Sequence, residues 1–456
     1  MRLNGTELMQ ATGGNWRKGM PDTISGIDTD SRKFVEGHAF LALRGPNFDG
    51  HRFAEKVATE ANALIGDKQG VSLWDNLEIP QLLVEDTLTA LGDIANAWRQ
   101  RLCDTTLIAI TGSYGKTTVR SMLTHLFTSL GVRTAATHAN LNNLIGVPST
   151  LLAIDEQVEV ALIECGISEK GEMSRLSQIV QPDVAVITGI SVAHSEGLGG
   201  FEGVAREKSL LIDHLKPQGW CTLGSGVGAV LNKRIAHNCI DMDSDEPDTV
   251  HWKLDHVTLT LHTSNEIAQL NLPIPATHWA ANMALAATIV IRQTGKMSGH
   301  KVASLAEIAN ALQSWQAVDG RMQPLSGASG CTIIDDSYNA NPASMQAALS
   351  TLALMDGRKI AIIGDMAELE DAEAAHAALN LDGIDLPVLI GEQMKALNKI
   401  YPQSLWFGSP EEGAAWAKNN KSILGDGSCV LVKASRSMKL DRIVRILAGR
   451  EDLHAL

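Results

Sequence analysis

The sequence predicts an α/β protein of three domains. A small α/β N-terminal domain spans 1–84, a central doubly wound parallel sheet 85–316, and a C-terminal Rossmann-like α/β domain 317–456. Three observations carry this expectation. The length of 456 residues corresponds to about three domains of about 150 residues each. The middle region alternates short, continuously apolar runs with amphipathic helical patterns. The last region repeats that style more weakly.

The first region holds short elements around a Gly-, Asp- and Arg-rich middle. It closes on Gln81-Leu82-Leu83-Val84. A helix is expected from Thr87 to Leu102, leading into the central region. There the runs are Leu107–Ile110, Val160–Ile163 and Val184–Ile187. Continuous apolar runs of this length suit strands buried on both faces, and helices between them imply parallel crossovers. The third region offers Thr332–Ile334, Ile360–Ile363, Val388–Ile390 and Cys429–Val432. Ligands of open α/β sheets sit beyond the carboxyl ends of strands, so the residues after each run are the ones to inspect.

Composition narrows the function. The net charge is -14, which disfavours a nucleic-acid backbone as partner. No apolar run approaches the roughly 18 residues of a membrane span. The first residues lack the apolar core of a secretory signal, and the expected location is the cytoplasm. The six cysteines, Cys103, Cys165, Cys221, Cys239, Cys331 and Cys429, show no Cys-x-x-Cys spacing and are expected to be reduced thiols.

The strongest motif is Thr111-Gly112-Ser113-Tyr114-Gly115-Lys116-Thr117-Thr118, between the strand Leu107–Ile110 and a helix. Val119, Met122, Leu123, Leu126, Phe127 and Leu130 fall on one face of that helix, and Gly131 is placed to end it. Glycines let backbone N–H groups turn towards phosphate oxygens, and a helix N-terminus adds unpaired donors. Lys116 can reach the β- and γ-phosphates, and the Thr117 hydroxyl can ligate Mg²⁺. The loop departs from G-x-x-x-x-G-K-[ST], because only two residues separate Gly112 and Gly115. Its meaning rests on the strand before it and the helix after it, which make the central domain P-loop ATPase-like.

Other strand ends carry polar residues. Glu164 ends Val160–Ile163 and suits Mg²⁺, although alone such a residue is more often a loop acid. His194 and Glu196 follow Val184–Ile187. Lys208, in Val204–Leu211, reads from spacing as a solvated helix face. In the third region Asp335-Asp336-Ser337-Tyr338-Asn339-Ala340-Asn341-Pro342 follows a strand, and Pro342 is placed to open a helix. Gly364–Leu369 and Ser435-Arg436-Ser437 also follow strands.

These segments together resemble the ATP-dependent Mur ligases of peptidoglycan synthesis, nearly end to end. The shortened phosphate loop, Asn140–Pro148, Asp336–Pro342 and Gly364–Leu369 carry the resemblance. Asp336–Pro342 is closest to the branch that joins D-Ala-D-Ala to UDP-N-acetylmuramoyl-tripeptide. The sibling that adds the third residue is expected to carry a histidine after the aspartate.

The resemblance implies roles. Gly112, Ser113, Gly115, Lys116, Thr117 and Thr118 would hold ATP, with Asn282, Arg321, Asp336, Asn339 and Asn341. Thr117, Glu164, His194 and Lys208 would serve two Mg²⁺ ions, with Lys208 carbamylated. Lys116, Glu164, His194, Lys208 and Arg321 would form the catalytic set. Ser31, Arg32, Asn47, Asp49, His51, Asn140 and Asn143 would hold the UDP-sugar substrate. The protein would act as a monomer. Two departures stand out: Tyr114, where Asn or Ser is commoner, and Cys165-Gly166-Ile167 after Glu164, where the family often has Leu-Gly-Ala/Met. The implied chemistry is ATP-driven amide formation through an acyl phosphate. A nucleotide-sensing module without turnover is the competing reading, which would not need Glu164, His194 and Lys208 together.

Overall fold

Each apolar run singled out in the sequence forms a strand, and the polar residues after it mark that strand's carboxyl end. The computed structural model describes residues 1–450 except Pro46, Ala193, His194, 232–237, 247–248 and Ser422, and the side chain of Ser195. The chain makes two compact units, Met1–Thr111 with Gly131–Val186 and Leu210–Cys221, and Gly112–Leu130 with Ile187–Ser209 and Thr222–Leu456. The division cuts the chain after Thr111 and Val186, at or near two strand ends. The loops that follow those strands therefore belong to the second unit.

The first unit opens with a five-stranded sheet in the order Asn15–Arg17, Gln81–Val84, Ala63–Asp67, Ala39–Leu41, Ile27–Asp28. Only the first pairing is antiparallel. Its core packs Phe40, Leu64, Val71 and Trp74. The helix Thr87–Arg101 then starts at Asp86, whose carboxylate accepts the Thr89 N–H at 2.7 Å. Its buried Arg99 donates to the carbonyls of Val180 and Leu102 and to Asp183. A fully buried guanidinium is tolerable here because carbonyls and a carboxylate satisfy its donors.

The same unit carries the phosphate-loop strand Thr106–Thr111. Val160–Glu164 lies between it and Thr134–Ala136, parallel to both. Val184–Ile187 flanks Thr106–Thr111 on the other side. After Thr106–Thr111 the chain builds one side of the sheet and then crosses to the other. That reversal creates the crevice where α/β sheets bind ligands, at the carboxyl end of the strand feeding the glycine loop.

The second unit contains a six-stranded sheet in the order Gln323–Ser326, Thr332–Asp336, Ser428–Lys433, Arg358–Gly364, Leu386–Ile390, Leu405–Phe407. All pairings except the first are parallel. Ile333, Ile360, Ile362, Val388, Val430 and Val432 form its buried centre. The unit also contains the helix Thr277–Thr294, whose Trp279 meets Trp315 edge to face at 5.2 Å. Trp315 donates to Ser121 on the helix Lys116–Ser129.

A whole sheet is absent from the sequence expectation. His251–Asp255, Thr258–His262 and Ile267–Asn271 form a three-stranded antiparallel sheet. Only Leu259 and Leu261 are buried in the middle strand. The alternation is real but short and polar, so it is weaker than the buried parallel runs around it. The cysteines also differ from expectation. Cys103, Cys165, Cys331 and Cys429 are free, whereas Cys221 and Cys239 are disulfide-bonded. No described helix is long and apolar enough to cross a membrane.

Candidate active site

The phosphate loop is held by backbone geometry that only glycine permits. Gly115 has φ +83° and stands immediately before the helix Lys116–Ser129. A Cβ on Gly112 would fall 2.1 Å from Thr188 Oγ1 and 3.1 Å from the Gly189 nitrogen. The helix buries Val119, Met122, Leu123, Leu126 and Phe127, which fixes the axis along which its N-terminus points. Gly131, with φ +79°, lies just beyond its end.

The residues after Val184–Ile187 stitch this loop in place. Ser113 N–H donates to the Gly189 carbonyl at 2.7 Å. Ser113 Oγ donates to the Ser191 carbonyl at 3.2 Å and accepts the Ser191 N–H at 3.0 Å. Thr188 Oγ1 donates to the Tyr114 carbonyl. The Tyr114 ring lies over Gly189, where a Cβ would come within 2.4 Å of Cζ. Tyr114 is thus a packing residue over a glycine, and burial pushes its phenol pKa up. Lys116 Nζ donates to the Gly112 carbonyl at 2.6 Å, and Thr117 is 8% exposed.

Asn341 joins the third region to this loop. It caps the helix Pro342–Ala353 by accepting the Ser344 N–H at 2.9 Å. Its Nδ2 donates to the Ser113 carbonyl at 3.2 Å. Its amide is engaged at both ends, so in this structure it grips the loop. Asn282 Oδ1 stands 3.3 Å from the Cβ position of Gly115.

Asp336 ends the strand Thr332–Asp336 and is buried. Its Oδ1 accepts the Met322 N–H at 3.1 Å, and its Oδ2 meets Lys433 Nζ at 2.6 Å. Lys433 also donates to the Asn339 carbonyl at 2.8 Å, leaving the Asn339 side chain exposed. Burial works against both charges of this pair, raising the Asp336 pKa and lowering that of Lys433. Arg321 stacks on the Tyr338 ring at 4.2 Å. Ser435 Oγ accepts the Ala367 N–H at 2.7 Å, tying Gly364–Leu369 to the loop after Ser428–Lys433. A cleft lined by Ser113, Asn339, Asn341, Glu368, Ser435 and Arg436 opens at these strand ends.

Lys208 lies in the helix Gly200–Ser209 and is 1% exposed. The solvated helix face allowed by spacing is therefore overturned. Burial first, then repulsion from Lys116, pushes its pKa well below the usual lysine value. Thr118 sits half-buried in the first turn after the loop. His194 lies outside the described residues.

In the first unit Glu164 is 2% exposed at the end of Val160–Glu164. Asn142 Nδ2 donates to Glu164 Oε1 at 3.0 Å, and the Glu164 N–H donates to Thr137 Oγ1. A Cβ on Gly166 would meet Asn142 at 2.9 Å. Asn142 is a residue the sequence reading passed over in favour of its neighbours. Asn140 is exposed, and Asn143 accepts the Ile145 and Gly146 N–H groups at the start of Gly146–Ala153. Three asparagines within four residues, Asn140, Asn142 and Asn143, carry no mark of which one faces the carboxylate.

The N-terminal residues divide likewise. Arg32 is exposed and forks onto Asp30, with Ser31 half-buried and Asn47 exposed. Asp49 bonds His51 Nδ1 at 2.6 Å and Arg44 at 2.8 Å. His51 is 1% exposed, its Nε2 accepts the Asp67 N–H, and its ring packs on Trp74 at 5.2 Å. Its ring has no edge left for a ligand. In this structure His51 bridges Asp49 and Asp67.

The chain belongs to the Mur ligase family. Residues 23–99 match the Mur ligase family catalytic domain, 110–290 the middle domain and 320–436 the glutamate ligase domain. The chain is similar to UDP-N-acetylmuramoyl-tripeptide–D-alanyl-D-alanine ligase of Escherichia coli, at 33% identity over 94% of this chain and 95% of the relative. The Bacillus subtilis protein of the same name is 32% identical over 93% of each chain. Among solved structures, MurF from Acinetobacter baumannii superposes with a TM-score of 0.86 at 30% identity, covering 98% of this chain and 99% of that one. MurF from Thermotoga maritima, solved with ADP, shares the fold at a TM-score of 0.79 and 24% identity, over 94% of this chain and 98% of that one.

Proposed function

We propose that the protein is an ATP-dependent amide ligase that joins D-Ala-D-Ala to UDP-N-acetylmuramoyl-tripeptide, giving the pentapeptide, ADP and phosphate. The observation that carries the reading is Asn341, which fastens the Asp336–Pro342 segment to the phosphate loop within one unit. Nucleotide held by that loop would meet the residues that most separate this branch from its siblings. The shared name of the relatives supports the same substrates.

The residues fit Mg²⁺ carried in on a nucleotide. Among the described residues no group of three or more His, Cys, Asp or Glu converges into a metal cage. The Thr117 hydroxyl at the helix start and the buried Glu164 carboxylate are hard oxygen donors, which suit an ion that keeps phosphate and water ligands. Thr117, Glu164, His194 and a carbamylated Lys208 would hold two such ions. A buried amine disposed to be neutral is the form that adds carbon dioxide, so the burial of Lys208 supports that modification. Bound there, Mg²⁺ would screen charge on the phosphates.

The chain's own residues would do the rest. The loop N–H groups of Gly112, Gly115, Thr117 and Thr118 would cradle the triphosphate, with Ser113, whose own N–H is held by Gly189, lining the cleft beside it. Lys116 exchanges its Gly112 carbonyl for phosphate oxygen. Asn282, Asp336 and Asn339 orient the nucleotide. The tripeptide carboxylate attacks the γ-phosphate and ADP leaves. The acceptor amine then attacks the acyl phosphate and phosphate leaves. Carboxylate and triphosphate repel one another, and the cations Lys116 and Arg321 offset that repulsion. Ser31, Arg32, Asn47, Asp49, Asn140 and Asn143 would hold the UDP-sugar end, with His51 bracing Asp49 behind them. We place the domain boundaries near 84/85 and 316/317, and read the protein as a cytoplasmic monomer.

ADP release should require both the UDP-sugar tripeptide and D-Ala-D-Ala. Lys116→Ala and Glu164→Ala should each lower it by at least about a hundredfold, the scale of losing a transition-state charge contact. Full turnover with a diamino acid in place of the dipeptide would point instead to the sibling reaction. ATP binding with no acceptor-dependent release would leave only a nucleotide sensor.

A further inference from the structure

Two arginines approach the Tyr338 ring. The Arg321 guanidinium carbon lies 4.2 Å from the ring centroid and that of Arg436 lies 5.4 Å from it. Both distances are within the roughly 6 Å at which a cation is drawn to an aromatic face. The ring itself is well anchored. The Tyr338 N–H donates to the Gly320 carbonyl at 3.1 Å. Gly320, at φ +69°, approaches so closely that a Cβ there would lie 3.1 Å from Tyr338 Cβ. Ser337, one residue earlier, is bound through N–H and Oγ to Asp335. The Arg321 turn is therefore pressed against Tyr338 by its backbone as well as by its side chain.

The hydrogen bonds say what the ring is for. Among the described residues the Arg321 guanidinium makes no hydrogen bond, and neither does the Tyr338 hydroxyl. A guanidinium stacked on a ring keeps its in-plane N–H donors for an anion. Arg436 lines the cleft beside Ser435, Ser437 and Asn341. Two cations near one ring would scatter in solvent without it, because each long side chain has many rotamers.

We propose that Tyr338 is a positioning residue that presents two arginines at once, Arg321 to the ATP phosphates and Arg436 to the carboxylate of the incoming dipeptide. This rests on the ligase reading above. The ring face does the holding, so the hydroxyl is dispensable.

The test uses the full chain and compares Tyr338→Phe with Tyr338→Leu. KM for ATP, KM for D-Ala-D-Ala, kcat and the affinity for a non-hydrolysable ATP analogue are measured, with thermal melting as the fold control. Tyr338→Phe should match the wild type. Tyr338→Leu should raise both KM values about three- to tenfold, the scale of lost cation–π contacts, with kcat within about twofold. In an Arg436→Ala background Tyr338→Leu should move only the ATP value. In an Arg321→Ala background it should move only the dipeptide value. Tyr338→Met repeats the comparison if the leucine variant unfolds. Unchanged KM values in Tyr338→Leu, or equal damage from phenylalanine, would overturn the proposal. If the wild type shows no dipeptide-dependent turnover, the ligase reading fails on its own account. Analogue affinity then decides the Arg321 half: a loss in Tyr338→Leu spared in Tyr338→Phe supports it, and no loss overturns it.

Discussion

Among the described residues no carboxylate pairs with Lys208 to hold its charge. Burial and the like charge of Lys116 both lower its pKa. Between that lowered value and the unfolded value of 10.5, the unfolded chain binds the extra proton. Stability must therefore rise with pH across that window and fall as pH drops through the folded value. Lys208→Met should raise the melting midpoint at neutral pH, without bicarbonate or Mg²⁺, and should flatten its pH dependence. Ligase activity should be lost in the same variant. A lowered midpoint would mean that the amine is satisfied rather than stranded. At this scale the sequence was half legible. Gly112, Lys116 and Thr117 announced themselves, since their spacing is the chemistry. Asn142 and Lys433 did not. Both act through one partner distant in sequence, Glu164 and Asp336, and such pairings leave no local pattern. The packing of the His51 ring on Trp74 was not legible either, because an Asp/Gly/His turn looks the same whatever its ring faces.

Among elements, the phosphate loop shows how a strand, a glycine turn and a helix divide the work. The loop is shorter than the usual one, and the structure shows what compensates. Thr188, Gly189 and Ser191, from the segment after the neighbouring strand, hold the Ser113–Tyr114 backbone. Gly112→Ala puts a methyl into Thr188 and the Gly189 backbone, so the loop must lift. We expect nucleotide affinity to fall at least about tenfold, which is about 1.4 kcal/mol. Gly131→Ala is the control. It meets nothing within 4 Å but keeps φ +79°, so it should cost about 1–2 kcal/mol of stability and leave nucleotide affinity unchanged. Loss of affinity in both variants would show that the helix, not the loop, governs binding. The buried strands were legible because burial on both faces writes an unbroken apolar run. The 251–271 sheet was not, because one polar face dilutes its alternation.

For the whole molecule, family membership was legible from four loops, each beyond a strand end. Their order along the chain carried more information than any one of them. What the sequence withheld was how the loops are fastened. Asn341 reads as one more polar residue in Asp336–Pro342, yet its amide ties that segment to Ser113. Tyr338 reads as a turn aromatic, yet it gathers two arginines. These are facts of three-dimensional neighbourhood. In the proposed reaction a carboxylate oxygen of the tripeptide attacks ATP and leaves with phosphate when the dipeptide amine arrives. Tripeptide substrate carrying oxygen-18 in its terminal carboxylate tests this in one mass-spectrometric measurement. One labelled oxygen should appear in the released phosphate and one should remain in the new amide, only when D-Ala-D-Ala is present. Unlabelled phosphate alongside ADP would mean that water, not the carboxylate, attacks the nucleotide, and would contradict it.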